Sequence, residues 1–90
     1  MKLVRLTSGE EVIGKVRDSA DSIYITDGFS LVVTEPGKIG FIPFMPYAKE
    51  QEMQINKRFV MMVLDPVDEM VDQVRQMTSG IQVPDKRIVT

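Results

Sequence analysis

The chain has 90 residues, no cysteine, no histidine and a formal net charge of -2 at pH 7. This length allows one domain with a thin core, and the lack of cysteine excludes disulfides and thiolate metal ligands. Without histidine, cysteine, a phosphate-binding glycine loop or a nucleophile elbow, the sequence does not predict an enzyme and indicates no cofactor. The slightly acidic balance provides no general attraction to nucleic acid, so any such binding needs a local cationic patch.

Features that the sequence lacks indicate where in the cell the protein is expected. No apolar run approaches the length of a membrane-spanning helix, and the first residues lead into an alternating pattern rather than a signal-peptide core. The absence of cysteine also fits a reducing compartment. We therefore expect a cytoplasmic protein without a membrane partner.

Two short strands joined by a tight turn open the chain. Residues 2–6 alternate as a first strand, Gly9 suits the turn, and residues 10–17 form a second strand. Gly14 lies inside the second strand between two valines, a position typical of a bend or a close backbone approach. Closing a very small barrel requires such curvature, although an ordinary glycine-containing hairpin gives the same pattern.

The middle of the chain predicts further strands separated by turns. Residues 23–26 alternate as a third strand, and the Asp-Gly pair at 27–28 is either a tight turn or a bulge within a longer strand. The Pro-Gly pair at 36–37 is a clear turn signal. Over residues 39–47, aromatic residues favour a strand, while two prolines confine it to a sheet edge or force a bend.

An alternating segment, a turn and a long apolar run follow. Residues 53–55 alternate, and residues 56–58 read as a turn or a strand end. The apolar run after them suits a strand that is covered on both faces or lies at an oligomer interface. The expected interface residues are Phe59, Val60, Met61, Met62, Val63 and Leu64.

A C-terminal helix is predicted over about residues 66–79. Asp65 suits the N-cap, Pro66 the first helical position and Gly80 the stop. The acidic residues around the start of this helix are typical of a solvated face, so no metal site is expected. Residues 81–90 read as a strap or a loose tail. The stripe expected to pack on the sheet consists of Val67, Met70, Val71, Val74 and Met77.

Two segments resemble the signatures of the Sm-like family, which includes bacterial Hfq. Residues 6–16 have the spacing apolar-x-x-Gly-x-x-apolar-x-Gly-x-apolar of the first signature, and residues 55–60 resemble the second. The resemblance implies a mainly β fold, a small, strongly bent, five-stranded Sm-like barrel over about residues 1–65, followed by the helix. It also implies one domain that assembles with itself into a ring of six or seven copies, and the different place of the helix and the longer middle segment leave a ring of five open as well.

The same resemblance implies contacts to single-stranded RNA. Lys57 matches the family's RNA-contacting lysine, while Asn56 and Arg58 stand where Hfq has an aromatic residue and a histidine. Asp21 and Ser22 are loose counterparts of the family's base-holding pair, and Tyr24 is a candidate for stacking on a base. The alternatives are a solvated turn at residues 57–58 that discourages edge aggregation, and a tyrosine that packs at an interface.

The sequence departs from the family pattern in ways that leave two functions open. The base-holding pair is incomplete, the helix comes last instead of first, and residues 27–52 are longer than the corresponding link in Hfq. The first function is an RNA-binding ring, such as a viral post-transcriptional regulator in the host cytoplasm, because the chain looks most similar to short, divergent, cyanophage-type Sm-like proteins. The alternative is a ring that acts as a protein-interaction or structural scaffold.

Overall fold

A computed structural model describes residues 1–80. The expectation for residues 81–90 therefore lies outside the described residues. A turn of 3-10 helix, Lys57–Phe59, joins the last two strands. The described elements are β1 (Lys2–Leu6), β2 (Glu11–Asp18), β3 (Ser22–Glu35), β4 (Lys38–Pro43), β5 (Glu52–Asn56), β6 (Val60–Leu64) and the helix α1 (Asp68–Gly80).

All strand pairs are antiparallel, in the order β4-β3-β2-β1-β6, and β5 pairs with the first half of β3. The expected mainly β fold with a C-terminal helix is confirmed. The expectation of a closed five-stranded barrel is wrong, because within residues 1–80 the sheet has six strands and β5 and β6 share no ladder. The sixth strand arises because the 14-residue β3 is long enough to pair with β4 along one half and β5 along the other.

The sheet is nevertheless strongly bent. If it were flat, the four strand spacings from β5 to β6 would separate these strands by about 19 Å. The 3-10 turn that joins them advances only about 8 Å between Asn56 and Val60. The two sides of the sheet must therefore curl towards each other. The Thr7 N–H donates to the Phe59 carbonyl at 2.8 Å and holds this turn against the loop after β1.

The hydrophobic core lies on the inner face of the curled sheet. Half-buried apolar side chains from β2, β5, β6 and the segment after β4 complete it. Burial of these apolar surfaces is the main favourable contribution to the stability of the fold. The core cluster consists of Val4, Leu6, Val12, Ile23 and Ile25.

A close backbone contact between β2 and β3 marks the bend. An added Cβ at Gly14 would lie 2.9 Å from the Gly28 Cα, so the predicted close approach at Gly14 is confirmed. Asp27 has a φ of +54°, and the register between β2 and β3 shifts between Ile13 and Lys15. The bulge interpretation of residues 27–28 is therefore confirmed and the tight turn is wrong.

The helix begins later than the sequence predicts. It starts at Asp68, and the Val67 carbonyl accepts from the N–H groups of Met70 and Val71, so Asp65 is not the N-cap. The Asp65 carboxylate instead pairs with the Lys2 ammonium group. This long-range contact lowers the pKa of Asp65 because it stabilises the charged form.

The burial of Ile13 and Val74 indicates where the helix packs. Leu3, Ile13 and Phe29 form one row across β1, β2 and β3, and Ile13 on this row is 0% exposed although it lies outside the inner cluster. Thr78, near the end of the helix, lines the same cavity as Phe29. We infer that α1 crosses this row. In the predicted apolar stripe of the helix, Val74 is buried, and three residues are half-buried: Met70, Val71 and Met77. Val67 was expected to pack on the sheet with them, but it is exposed.

Val74→Ala is expected to lower the free energy of unfolding by about 1–3 kcal/mol, because it leaves a cavity under a side chain that is 1% exposed. Val67→Ala is the matched control and should change it by less than about 0.5 kcal/mol, since Val67 is 66% exposed. Urea denaturation of both variants measures the difference. Equal midpoints would mean that the helix does not pack on the sheet through Val74.

Candidate nucleic-acid interface

Two loops that are distant in sequence meet at one end of the sheet. The Lys57 N–H donates to the Asp21 carbonyl at 2.9 Å, which joins the loop between β2 and β3 to the 3-10 turn between β5 and β6. A second backbone bond, from the Ser19 N–H to the Ser22 carbonyl at 3.0 Å, closes the first loop. We call this place the loop junction, formed by residues 18–22 and 56–58. Four of the five predicted RNA contacts lie in it, and Tyr24 lies beside it.

Ser22 and Asn56 are direct neighbours across the ladder between β3 and β5. Ser22 is buried, and its Oγ accepts a hydrogen bond from the Gln54 amide Nε2 at 3.2 Å. The Asn56 Oδ1 accepts from the Arg58 N–H at 2.9 Å and so caps the 3-10 turn. Both side chains thus have structural roles, which leaves the Asn56 Nδ2 group as the polar donor directed away from the cap.

The two predicted cations differ in their electrostatic surroundings. The Lys57 Nζ lies 3.0 Å from the Asp18 Oδ1, and both side chains are largely open to solvent. The Arg58 guanidinium lies 6.0 Å from the centre of the Phe59 ring and forms no ion pair within residues 1–80. With Asp21 also in the junction, the formal charges of the two cations and two aspartates cancel.

Tyr24 lies in a cross-strand row with Arg17 on β2 and Gln54 on β5. The Arg17 guanidinium carbon lies 4.0 Å from the centre of the Tyr24 ring. Two hydrogen bonds to Glu52 hold this guanidinium, from Nη2 at 3.1 Å and from Nε at 3.4 Å. These bonds raise the pKa of Arg17, since they favour its charged form. One face of the Tyr24 ring is therefore covered by Arg17.

The apolar run predicted as an oligomer interface forms the end of the turn and the last strand. Val60 is half-buried and packs against the core, but the other five residues of the run are exposed, so the interpretation of a strand covered on both faces is wrong for the single chain. Within residues 1–80, β6 pairs with β1 on one side and has no strand on its other side. The remaining members of the run are exposed: Phe59, Met61, Met62, Val63 and Leu64.

Sequence reasoning missed the Arg17 and Glu52 part of this surface. Arg17 could have been found from the hairpin between β2 and β3, because a turn at residues 19–22 sets Arg17 opposite Tyr24. Glu52 is 35 residues from Arg17 and pairs with it only because β5 adds to β3. No local pattern in the sequence indicates that contact.

Residues 1–80 contain no group of three or more acidic side chains arranged to hold a metal ion. No helix among them is both long and apolar enough to cross a membrane. The chain matches no known protein-family model and no curated protein.

Proposed function

We propose that this protein is an Sm-like ring of identical copies that binds single-stranded RNA at the loop junction. The observation that carries the proposal is the hydrogen bond from the Lys57 N–H to the Asp21 carbonyl, which brings both loops to one end of the sheet. In a ring, each copy would present one junction, so that a single weak phosphate contact is repeated around the assembly. The viral regulatory role and the host cytoplasm are part of this proposal and follow from the sequence resemblance.

Assembly is supported by strands that have one unpaired side. Within residues 1–80, β6 pairs only with β1, and β4, at the opposite end of the strand order, pairs only with β3. Ile39 and Ile42 on β4 are exposed, as is most of β6. Unpaired apolar strands associate readily, and a head-to-tail contact that closes by rotation gives every copy the same partners. We expect a ring of five to seven copies.

The RNA contacts are assigned by chemistry. Lys57 and Arg58 would contact phosphates, and Arg58 is the better placed because it has no carboxylate partner within residues 1–80. Lys57 would have to exchange Asp18 for a phosphate, at little cost because an exposed ion pair contributes only about 0–1 kcal/mol. The Asn56 Nδ2 group and the polar surface around Ser22 would contact the sugar or base.

Replacing Lys57 and Arg58 by serine is expected to weaken binding and to flatten its salt dependence. Each lost phosphate contact lowers the slope of log affinity against log salt by about 0.7 for a single strand. Fluorescence anisotropy of uridine-rich and adenine-rich oligonucleotides, titrated with the assembled protein at several salt concentrations, measures the slope. Lys38→Ser with Lys49→Ser is the matched control, because it removes the same charge away from the junction. An equal effect of both double variants would contradict the assignment.

The second candidate function is a ring scaffold without RNA binding. It is favoured by the ion pairs of Lys57 with Asp18 and of Arg17 with Glu52, which neutralise two cations near the junction. The same titration distinguishes the two functions. An intact assembly that binds neither oligonucleotide at low salt would reject RNA binding and favour the scaffold.

A further inference from the structure

An exposed guanidinium plane lies beside the loop junction, outside the residues assigned to RNA above. It belongs to Arg17, whose side chain is 60% exposed although its carbon lies 4.0 Å from the centre of the Tyr24 ring. The Arg17 group is therefore covered by the ring on one side and accessible to solvent elsewhere. A guanidinium plane is one of the surfaces on which RNA bases stack.

The orientation of this plane is fixed from two directions. Tyr24 supports one face through a cation–π contact, and Glu52 accepts hydrogen bonds from two nitrogens of the fork. A free arginine side chain loses much rotamer freedom when a ligand binds it. Here the contacts to Tyr24 and Glu52 already restrict the group, so a ligand would meet a surface that is partly ordered in advance.

The surroundings indicate which chemical class of ligand this plane suits. Glu52 compensates the charge of Arg17, so the site does not attract phosphate as an isolated cation would. A flat, weakly charged ligand that stacks on the guanidinium suits this site better than a phosphate does. The exposed Gln54 amide lies next to Tyr24 across the ladder, and its Oε1 is directed away from its bond to Ser22. A planar group with hydrogen-bonding edges, such as a nucleobase, can use both features.

The plane also has the right position relative to the cations. Arg17 immediately precedes Asp18, and the Asp18 Oδ1 lies 3.0 Å from the Lys57 Nζ. Ser22 of the junction lies two residues before Tyr24 on the same face of β3, and its Oγ accepts from the Gln54 Nε2 at 3.2 Å, so a strand bound beside Ser22 and Asn56 can continue over Arg17. Because Arg17 covers one face of the Tyr24 ring, a base that would stack on this face of the tyrosine stacks instead on the outer face of the guanidinium.

We propose that Arg17, held over the Tyr24 ring and hydrogen-bonded to Glu52, is a base-stacking subsite for single-stranded RNA. This inference rests on the proposed RNA-binding function and adds to it a stacking contact with the face of a base. Lys57 and Arg58 neutralise phosphates, whereas Arg17 contributes affinity that depends on the presence of a base. Tyr24 and Glu52 act as positioning residues for the plane.

The test compares Arg17→Lys with the wild-type protein on two oligonucleotides of equal length, one uridine-rich and one with abasic positions. Lysine keeps the charge and can still pair with Glu52, but it removes the plane. We expect Arg17→Lys to weaken binding of the uridine-rich strand by roughly tenfold or more and to leave binding of the abasic strand unchanged. The slope of log affinity against log salt between about 50 mM and about 200 mM should stay as in the wild type.

Arg5→Lys is the matched control, because Arg5 also pairs with a carboxylate, that of Glu11, but has no aromatic ring beneath it among the described residues. It should bind both strands like the wild type. Light scattering must give the same mass for all three proteins. Glu52→Gln and Tyr24→Leu each weaken one of the two contacts that hold the Arg17 guanidinium. Each should lower the affinity less than Arg17→Lys does, and only for the oligonucleotide that carries bases.

The outcomes separate this inference from the function on which it rests. If Arg17→Lys binds the uridine-rich strand as well as the wild type, or loses equal affinity for both strands, the stacking subsite is wrong while RNA binding stands. In that case the double serine variant at positions 57 and 58 still weakens binding. If the assembled wild-type protein binds neither strand, the proposed function is wrong and the subsite falls with it.

Discussion

Met62→Asp and Val63→Asp are each expected to convert the assembled protein to single chains. Both residues lie on β6, whose outer side has no strand partner within residues 1–80, and both are exposed, at 44% and 40%. A charge buried at an apolar contact between copies loses its hydration without gaining a partner, and like charges repel around the ring. Multi-angle light scattering at micromolar concentration measures the mass of the particle.

The two substitutions test opposite faces of the same strand. Met62 pairs with Arg5 on the outer face, and Val63 pairs with the core residue Val4 on the inner face. Tyr47→Asp is the control, because it places the same charge on a side chain that is 100% exposed and outside the strands. Circular dichroism should show that the dissociated variants keep their strand content. A wild-type mass equal to one chain, or variants that stay assembled, would reject β6 as the contact.

Gly14→Ala is expected to lower the free energy of unfolding by about 1–3 kcal/mol, the usual cost of overpacking a tight site. Its Cβ would lie 2.9 Å from the Gly28 Cα and 3.1 Å from the Thr26 carbonyl oxygen. Both are backbone atoms in the middle of the sheet, so relief requires the strands β2 and β3 to move apart. Chemical denaturation of the variant measures the loss.

Gly40→Ala is the matched control for this substitution. Its Cβ would also meet a heavy atom at 2.9 Å, but that atom is the methyl group of the exposed Thr34 side chain, which can rotate away. We expect a change of less than about 0.5 kcal/mol at Gly40. Equal losses at both positions would mean that the contact between the two backbones does not determine the bend.

The patterns that sequence reasoning interpreted correctly are local. The first hairpin, the close approach at Gly14, the alternating β5 and the existence of the helix each depend on residue types within a few positions of one another. Alternation, turn chemistry and helical periodicity act over such short separations, so they can be recognised in one chain alone. The same holds for the prolines near residue 43, which suit the outer position of β4.

What the tertiary structure decided depends on contacts between distant residues. Asp65 is an acceptable N-cap by sequence, but the helix starts only at Asp68. The Asp65 carboxylate pairs instead with Lys2, which is 63 residues away. The sixth strand follows from the pairing of one long strand, β3, with two partners, and within residues 1–80 the sheet stays open because β5 and β6 share no ladder. The sequence alone determined a mainly β chain with a terminal helix and a cationic turn at residues 57–58. Only the fold placed Glu52 beside Arg17 and fixed the guanidinium over Tyr24, because strand register, not local propensity, sets which side chains meet.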